Sequence, residues 1–310
     1  MTILLFPGQG AQKIGMARDL ADAFPAARAA LDAIDAALDT PLTPVMWDGP
    51  DDGLTLTHNA QPAILAHSVA VLAAVGDRLG NVVAAAGHSL GEYSAWVAAG
   101  ALDSTEAARL VRRRGALMYE AGQARPGAMA AVLGLDTMQV EAACIEVSVG
   151  TPDLVVAANL NAPDQTVISG DPAAVKRAGE ACKARGAKRV LPLNVSGAFH
   201  SPLMDPAVAG LRDALARATF AAPNFPVTAN ATAQAVSSAD EAARLLATQL
   251  TAPVRWVESM RALDATHPGA RWIEVGPGSV LGGLLKRIIP GTTCTSLGTA
   301  ADVTAFLDAA

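Results

Sequence analysis

Gly87-His88-Ser89-Leu90-Gly91 is a G-x-S-x-G pattern, and a serine in that setting can serve as a nucleophile. The apolar run 81–86 precedes it, and the helix-prone segment 92–99 follows it. Strand, sharp turn and helix together would lift Ser89 to the strand's C-terminal end, beneath the positive end of the helix. The alternative is a Gly-rich turn whose serine only caps the helix. A serine hydroxyl also needs a base to take its proton. The chain has five histidines. His88 adjoins Ser89 on the turn and would point away from it. His58, His67 and His267 sit in no motif. His200 lies in the small-residue loop Val195–Met204, which can bring an imidazole over the turn.

The third catalytic member stays open. Asp136, Asp153, Asp164 and Asp171 lie between Ser89 and His200 in sequence, and none stands out. A backbone carbonyl can orient the imidazole instead, because its second nitrogen needs only an acceptor. Acyl chemistry on Ser89 also needs two N–H groups for the oxyanion. Leu90 follows the nucleophile and offers one. The turn Gly8-Gln9-Gly10 can offer the other, and it lacks the Gly-Lys-Ser/Thr ending of a phosphate loop.

Arg114 speaks to the substrate. At about 100° per residue, Ala107, Leu110, Val111, Leu117 and Met118 form one apolar stripe, with Arg114 in its middle. Arg112 and Arg113 project elsewhere, as solvated charges. A buried guanidinium needs an anionic partner, and its planar fork fits a carboxylate. That carboxylate belongs either to a protein Asp or Glu or to the substrate.

The elements that position these residues read as alternating strands and helices. Thr2–Phe6 is a first strand, with helix to about Ala37. Residues 59–79 form a helix opened by Gln61-Pro62. Another begins near Ser104, taken as its cap, and runs to about Ala121. From 127 to 193 the order is β-α-β-β-α-β, the ferredoxin-like order. Helices at 201–218 and 239–250 follow. Trp272–Val275 is a further strand, with a helix through 281–287. The pattern implies an α/β protein with a mainly parallel sheet covered on both faces. Residues 1–125 and 194–310 are expected to form a large catalytic domain, and 126–193 an inserted small domain.

With 51% of its residues apolar, the chain can bury a sizeable core. No uninterrupted apolar run of about 18 residues occurs, and the N-terminus lacks signal-peptide features, so neither membrane nor export is expected. Three scattered cysteines suit a reducing cytoplasm and suggest neither disulfides nor a metal site. The net charge of −6 argues against nucleic acid as a partner.

Phe6–Gln12, Gly87–Ala95, Arg113-Arg114-Gly115, Asn159-Leu160-Asn161, Gly197–Met204 and Gln249–Trp256 occur together and in order. Across nearly the whole chain, this set resembles the malonyl-CoA:acyl carrier protein transacylases. The resemblance implies a hydrolase-like core with a ferredoxin-like insert. It implies that Ser89 carries the malonyl group and that His200 is base, then acid. It makes Gln9 and Leu90 the backbone oxyanion donors, and the Gln249 carbonyl the orienter of His200. Arg114 would pair with the malonyl carboxylate, Phe199 would disfavour an α-methyl group, and Asn159 would line the cleft. It further implies malonyl-CoA as substrate, no bound cofactor or metal, an acyl carrier protein bearing phosphopantetheine as partner, and a monomer. A polyketide-synthase acyltransferase and a serine esterase or thioesterase on the same scaffold are the alternatives.

Overall fold

The computed structural model of the protein describes residues 1–309. The strands are β1 (Thr2–Phe6), β2 (Val82–Gly87), β3 (Ala128–Leu133), β4 (Val155–Ala162), β5 (Gln165–Gly170), β6 (Arg189–Pro192), β7 (Val227–Thr228), β8 (Ala235–Val236), β9 (Arg271–Val275) and β10 (Cys294–Leu297). Among the described residues they form two sheets. The larger has the order β10-β9-β1-β2-β7-β8. It is parallel except for β8, which runs antiparallel to β7.

Side chains alternate across a strand, so β1 feeds two separate cores. Ile3 and Leu5 pack with Trp256, Met260 and Leu285 on one face. Leu4 and Phe6 face the larger core, built on helices Thr57–Val75, Gly91–Ala98 and Ser104–Ala124. Burial on both faces explains why these strands read as continuous apolar runs.

The smaller sheet is antiparallel, in the order β4-β5-β3-β6. One face packs Val132, Val155 and Ile168 against helices Thr137–Ser148 and Pro172–Ala184. The other contributes Met129, Ala131 and Val167 to the main core. Its edge strand β4 also bonds to the main body: Leu160 donates to the Val254 carbonyl (2.9 Å), and Val254 donates to that of Ala158 (2.8 Å).

Several boundaries differ from the sequence reading. Asp103, not Ser104, caps the Ser104–Ala124 helix, accepting from the Thr105 and Glu106 amides. A carboxylate at that position also complements the helix dipole. Pro62 does not open its helix but lies inside it, since the helix starts at Thr57. Helices Thr43–Asp48, Asp51–Thr55, Trp256–Thr266 and Ala300–Ala309 and the strands β8 and β10 were not anticipated. The segment Thr57–Leu79 is long and apolar enough to cross a membrane by length and composition, yet 67% of its apolar window is buried inside the protein.

Candidate active site

Ser89 stands in the turn between β2 and the Gly91–Ala98 helix, with φ of +52°. That left-handed geometry is uncommon for a residue with a Cβ, and the surroundings must hold it. A Cβ on Gly87 would lie 1.9 Å from the Gly91 carbonyl carbon, and one on Gly91 would lie 2.1 Å from the Phe6 oxygen. Glycine is required at both positions because backbone passes where a side chain would be. Asn230, just beyond β7, clamps the turn. Its Oδ1 accepts from the Ser89 amide (2.6 Å), and its Nδ2 donates to the Gly87 carbonyl (2.7 Å).

His200 lies 111 residues away, on the loop after β6, and also has a positive φ, +56°. Its Nε2 is 2.7 Å from Ser89 Oγ, and its Nδ1 is 2.9 Å from the Gln249 carbonyl oxygen. Because Gln249 O can only accept, Nδ1 carries the proton and Nε2 is left to take the serine's. Burial, reinforced by the Arg114 charge, lowers the imidazole pKa to about 3. The ring is therefore neutral near pH 7, as a base must be.

The four aspartates considered for the third position are engaged elsewhere. Asp136 caps the Thr137–Ser148 helix, while Asp153, Asp164 and Asp171 pair with Arg177, Arg287 and Arg125. Of the remaining histidines, His58 packs its ring against Tyr119, His67 meets the Gly298 carbonyl and His267 ends a helix. His88 turns away from Ser89 and bonds Asn161 Oδ1 through Nε2 at 2.8 Å.

Arg114 is 1% exposed, and no acidic side chain is among its hydrogen-bond partners. Its Nη1 donates to Gln61 Oε1 (2.7 Å), and its Nη2 donates to Gln249 Oε1 (2.9 Å) and Ser89 Oγ (3.2 Å). Its Nε is buried without a partner. Burial holds the guanidinium below its ordinary pKa. The buried acid nearby, Glu92, is separated from it by the Gln249 amide, whose Nε2 donates to Glu92 Oε2 (2.7 Å) and to the Ser89 carbonyl (2.9 Å).

One cavity of about 260 Å³ joins these groups. Ser89, Leu90, Gln9, Arg114, His200, Phe199 and Asn159 all line it, whereas Gln249 is wholly buried behind it. Neither the Gln9 nor the Leu90 amide has an acceptor among the described residues. Gln61, Glu92 and Asn230 were not anticipated as parts of the site. A glutamine within an apolar helix was the one available signal for Gln61. Chemically, the cavity offers an activated hydroxyl, two open amides and a cation with donors to spare.

The acyl transferase domain family matches residues 3–309. The malonyl CoA-acyl carrier protein transacylase of Bacillus subtilis (strain 168) is 44% identical over 284 residues, covering 92% of this chain and 89% of that one. The enzyme of the same name from Escherichia coli (strain K12) is 42% identical over 305 residues, 98% of each chain. Among solved structures, a malonyl-transacylase in complex with its type II PKS acyl-carrier protein superposes with a TM-score of 0.94 at 41% identity, covering 100% of this chain and 99% of that one. An acyl carrier protein S-malonyltransferase from Vibrio cholerae gives 0.93 at 40% identity, covering 98% and 99%. The chain belongs to the malonyl-CoA:acyl carrier protein transacylase family of acyltransferases.

Proposed function

We propose that this protein moves a malonyl group from malonyl-CoA to the phosphopantetheine thiol of an acyl carrier protein, through an ester on Ser89. The Ser89 oxygen attacks the thioester carbonyl carbon while His200 Nε2 takes its proton. The carbonyl oxygen becomes an oxyanion, held by the Gln9 and Leu90 amides. The C–S bond then breaks, and His200 returns the proton to the departing CoA sulfur. In the second half the carrier's thiol gives its proton to His200 and attacks the ester. Ser89 leaves as an alkoxide and regains that proton. The Gln249 carbonyl keeps the imidazole in the required tautomer throughout.

Arg114 grips the malonyl carboxylate. The observation that carries this reading is a buried guanidinium beside Ser89 Oγ with no acid among its hydrogen-bond partners. An esterase on the same scaffold would have no use for such a charge. Phe199 and Asn159 border the acyl end, where the Phe199 ring crowds an α-methyl branch. One methylene of fit is worth about 1–3 kcal/mol, so that exclusion is partial.

The test is intact-mass analysis of the acyl-enzyme with malonyl- and acetyl-CoA. Arg114→Ala is expected to lose about 2–5 kcal/mol in malonyl transfer, a factor of roughly 30 or more, while acetyl loading persists. Wild-type malonyl loading in that variant would end the reading. Ser89→Ala should give no adduct at all.

The same reading makes the larger unit, 1–125 and 194–310, a hydrolase-like core and 126–193 a ferredoxin-like insert. The strand order β4-β5-β3-β6 supports the latter. A cytoplasmic monomer without membrane or nucleic-acid partners fits the net charge and the free cysteines. Fatty-acid and polyketide carriers present the same thiol arm, and a carrier panel would rank them.

A further inference from the structure

Gln61 and Gln249 meet Arg114 in an unusual way for a buried guanidinium. Both are glutamines, both are almost fully buried, and both turn an amide oxygen toward the cation. The amide orientation at Gln61 is fixed from its other end, where Nε2 faces Met118 Sδ at 3.3 Å. At Gln249 it is fixed by Glu92 Oε2 and the Ser89 carbonyl, both of which only accept. The two oxygens anchor the guanidinium plane without cancelling its charge. A glutamate at position 61, where the amide nitrogen faces only a thioether, would have nearly the same shape and would anchor it equally well. It would also satisfy the cation internally and leave nothing for an incoming anion.

We propose that Gln61 and Gln249 are specificity-determining positioning residues, whose neutral amides hold Arg114 rigid while leaving it unpaired for the acyl group's carboxylate. The proposal rests on the reading of Arg114 given above. Three of the five guanidinium N–H groups are engaged by the protein: one by each glutamine and one by Ser89 Oγ. The bond to Ser89, at 3.2 Å, is the longest of the three and the one a carboxylate would replace. Gln249 has a second part in this arrangement. Its amide stands between Glu92 and Arg114, so the buried carboxyl cannot close onto the cation directly.

The experiment compares malonyl- and acetyl-CoA as substrates of wild type, Gln61→Glu, Gln61→Met and Arg114→Ala, reading kcat and KM separately. Gln61→Glu changes charge at nearly constant shape. Its malonyl-to-acetyl ratio of kcat/KM is expected to fall about tenfold or more, mainly through malonyl KM. Gln61→Met keeps the volume and adds no charge. It is expected to slow both substrates together and keep the ratio within about threefold of wild type. An unchanged ratio in Gln61→Glu would overturn the proposal. So would a tenfold fall in Gln61→Met, which stands as a test even if Gln61→Glu fails to fold. Arg114→Ala separates the two levels. If it keeps malonyl selectivity, the assignment of Arg114 is wrong. If it loses selectivity while Gln61→Glu keeps it, only the role of the neutral clamp is wrong.

Discussion

His200 differs from a solvated imidazole before any substrate arrives. Burial and the neighbouring Arg114 charge hold its pKa near 3, so the base form persists far below the usual histidine range. With acetyl-CoA, which brings no carboxylate, loading of Ser89 should stay nearly flat from about pH 7.5 to about 5.5. A rapid-quench profile falling with a midpoint near the ordinary 6.5 would show that His200 titrates freely. Glu92, pushed up to about 7 by burial, titrates in the same window but touches no reacting atom. Glu92→Gln removes that titration and should leave the profile flat. Ser89, His200 and Arg114 were legible because each stands in a local pattern: a turn motif, a small-residue loop, an apolar stripe. Gln61, Glu92 and Asn230 were not, because their meaning arises only where segments 53–157 residues apart converge.

Elements set the tolerance of the site. The turn bearing Ser89 is as tight as backbone allows, since a Cβ on Gly91 would sit 2.1 Å from the Phe6 oxygen of the neighbouring strand. Neither backbone can retreat without breaking the parallel pairing of β1 and β2. Gly91→Ala should therefore destabilise the fold by about 3 kcal/mol or more, read as a fall in denaturation midpoint. Gly283 is the contrasting case. It lies in the exposed interior of the Val280–Ile288 helix, and a Cβ there meets nothing within 4 Å. Gly283→Ala should stabilise by about 0.5–1 kcal/mol, with activity unchanged. The same contrast explains which elements could be read from sequence. The β-α-β-β-α-β segment announces itself through short strands and well-separated helices. The Thr57–Val75 helix is apolar nearly all round, with 14 of its 19 residues buried, so no polar face marks where it begins. The two-residue strands β7 and β8 pair only because the sheet edge is there to receive them.

At the scale of the whole molecule, the folded protein keeps three histidines neutral by burying them. His200 is lowered to about 3, His67 to about 4, and His88 is lowered as well, with burial the main cause in each. An unfolded chain would protonate all three below about pH 6.5. Between that value and the folded pKa values the unfolded state binds more protons, so stability falls as the solution is acidified. Glu92 works in the opposite sense: raised from 4.5 to about 7, it adds stability that is complete below 4.5 and lost as pH rises through 7. Glu274, also raised by burial, acts in the same direction as Glu92. The histidine contribution can be isolated at His67, which lies outside the cavity and bonds only the Gly298 carbonyl through Nε2 at 2.9 Å. Each histidine kept neutral contributes a slope of up to about 1.4 kcal/mol per pH unit. His67→Gln removes that titration and retains a donor for Gly298. Whatever it costs at pH 7, its deficit relative to wild type should shrink by about 2 kcal/mol as the pH falls to about 4.5. Chemical denaturation at the two pH values measures the change. If the two stability curves stay parallel over that range, His67 takes up its proton as readily in the folded protein as in the unfolded chain, and the helix Thr57–Val75 tolerates a cation at its buried centre.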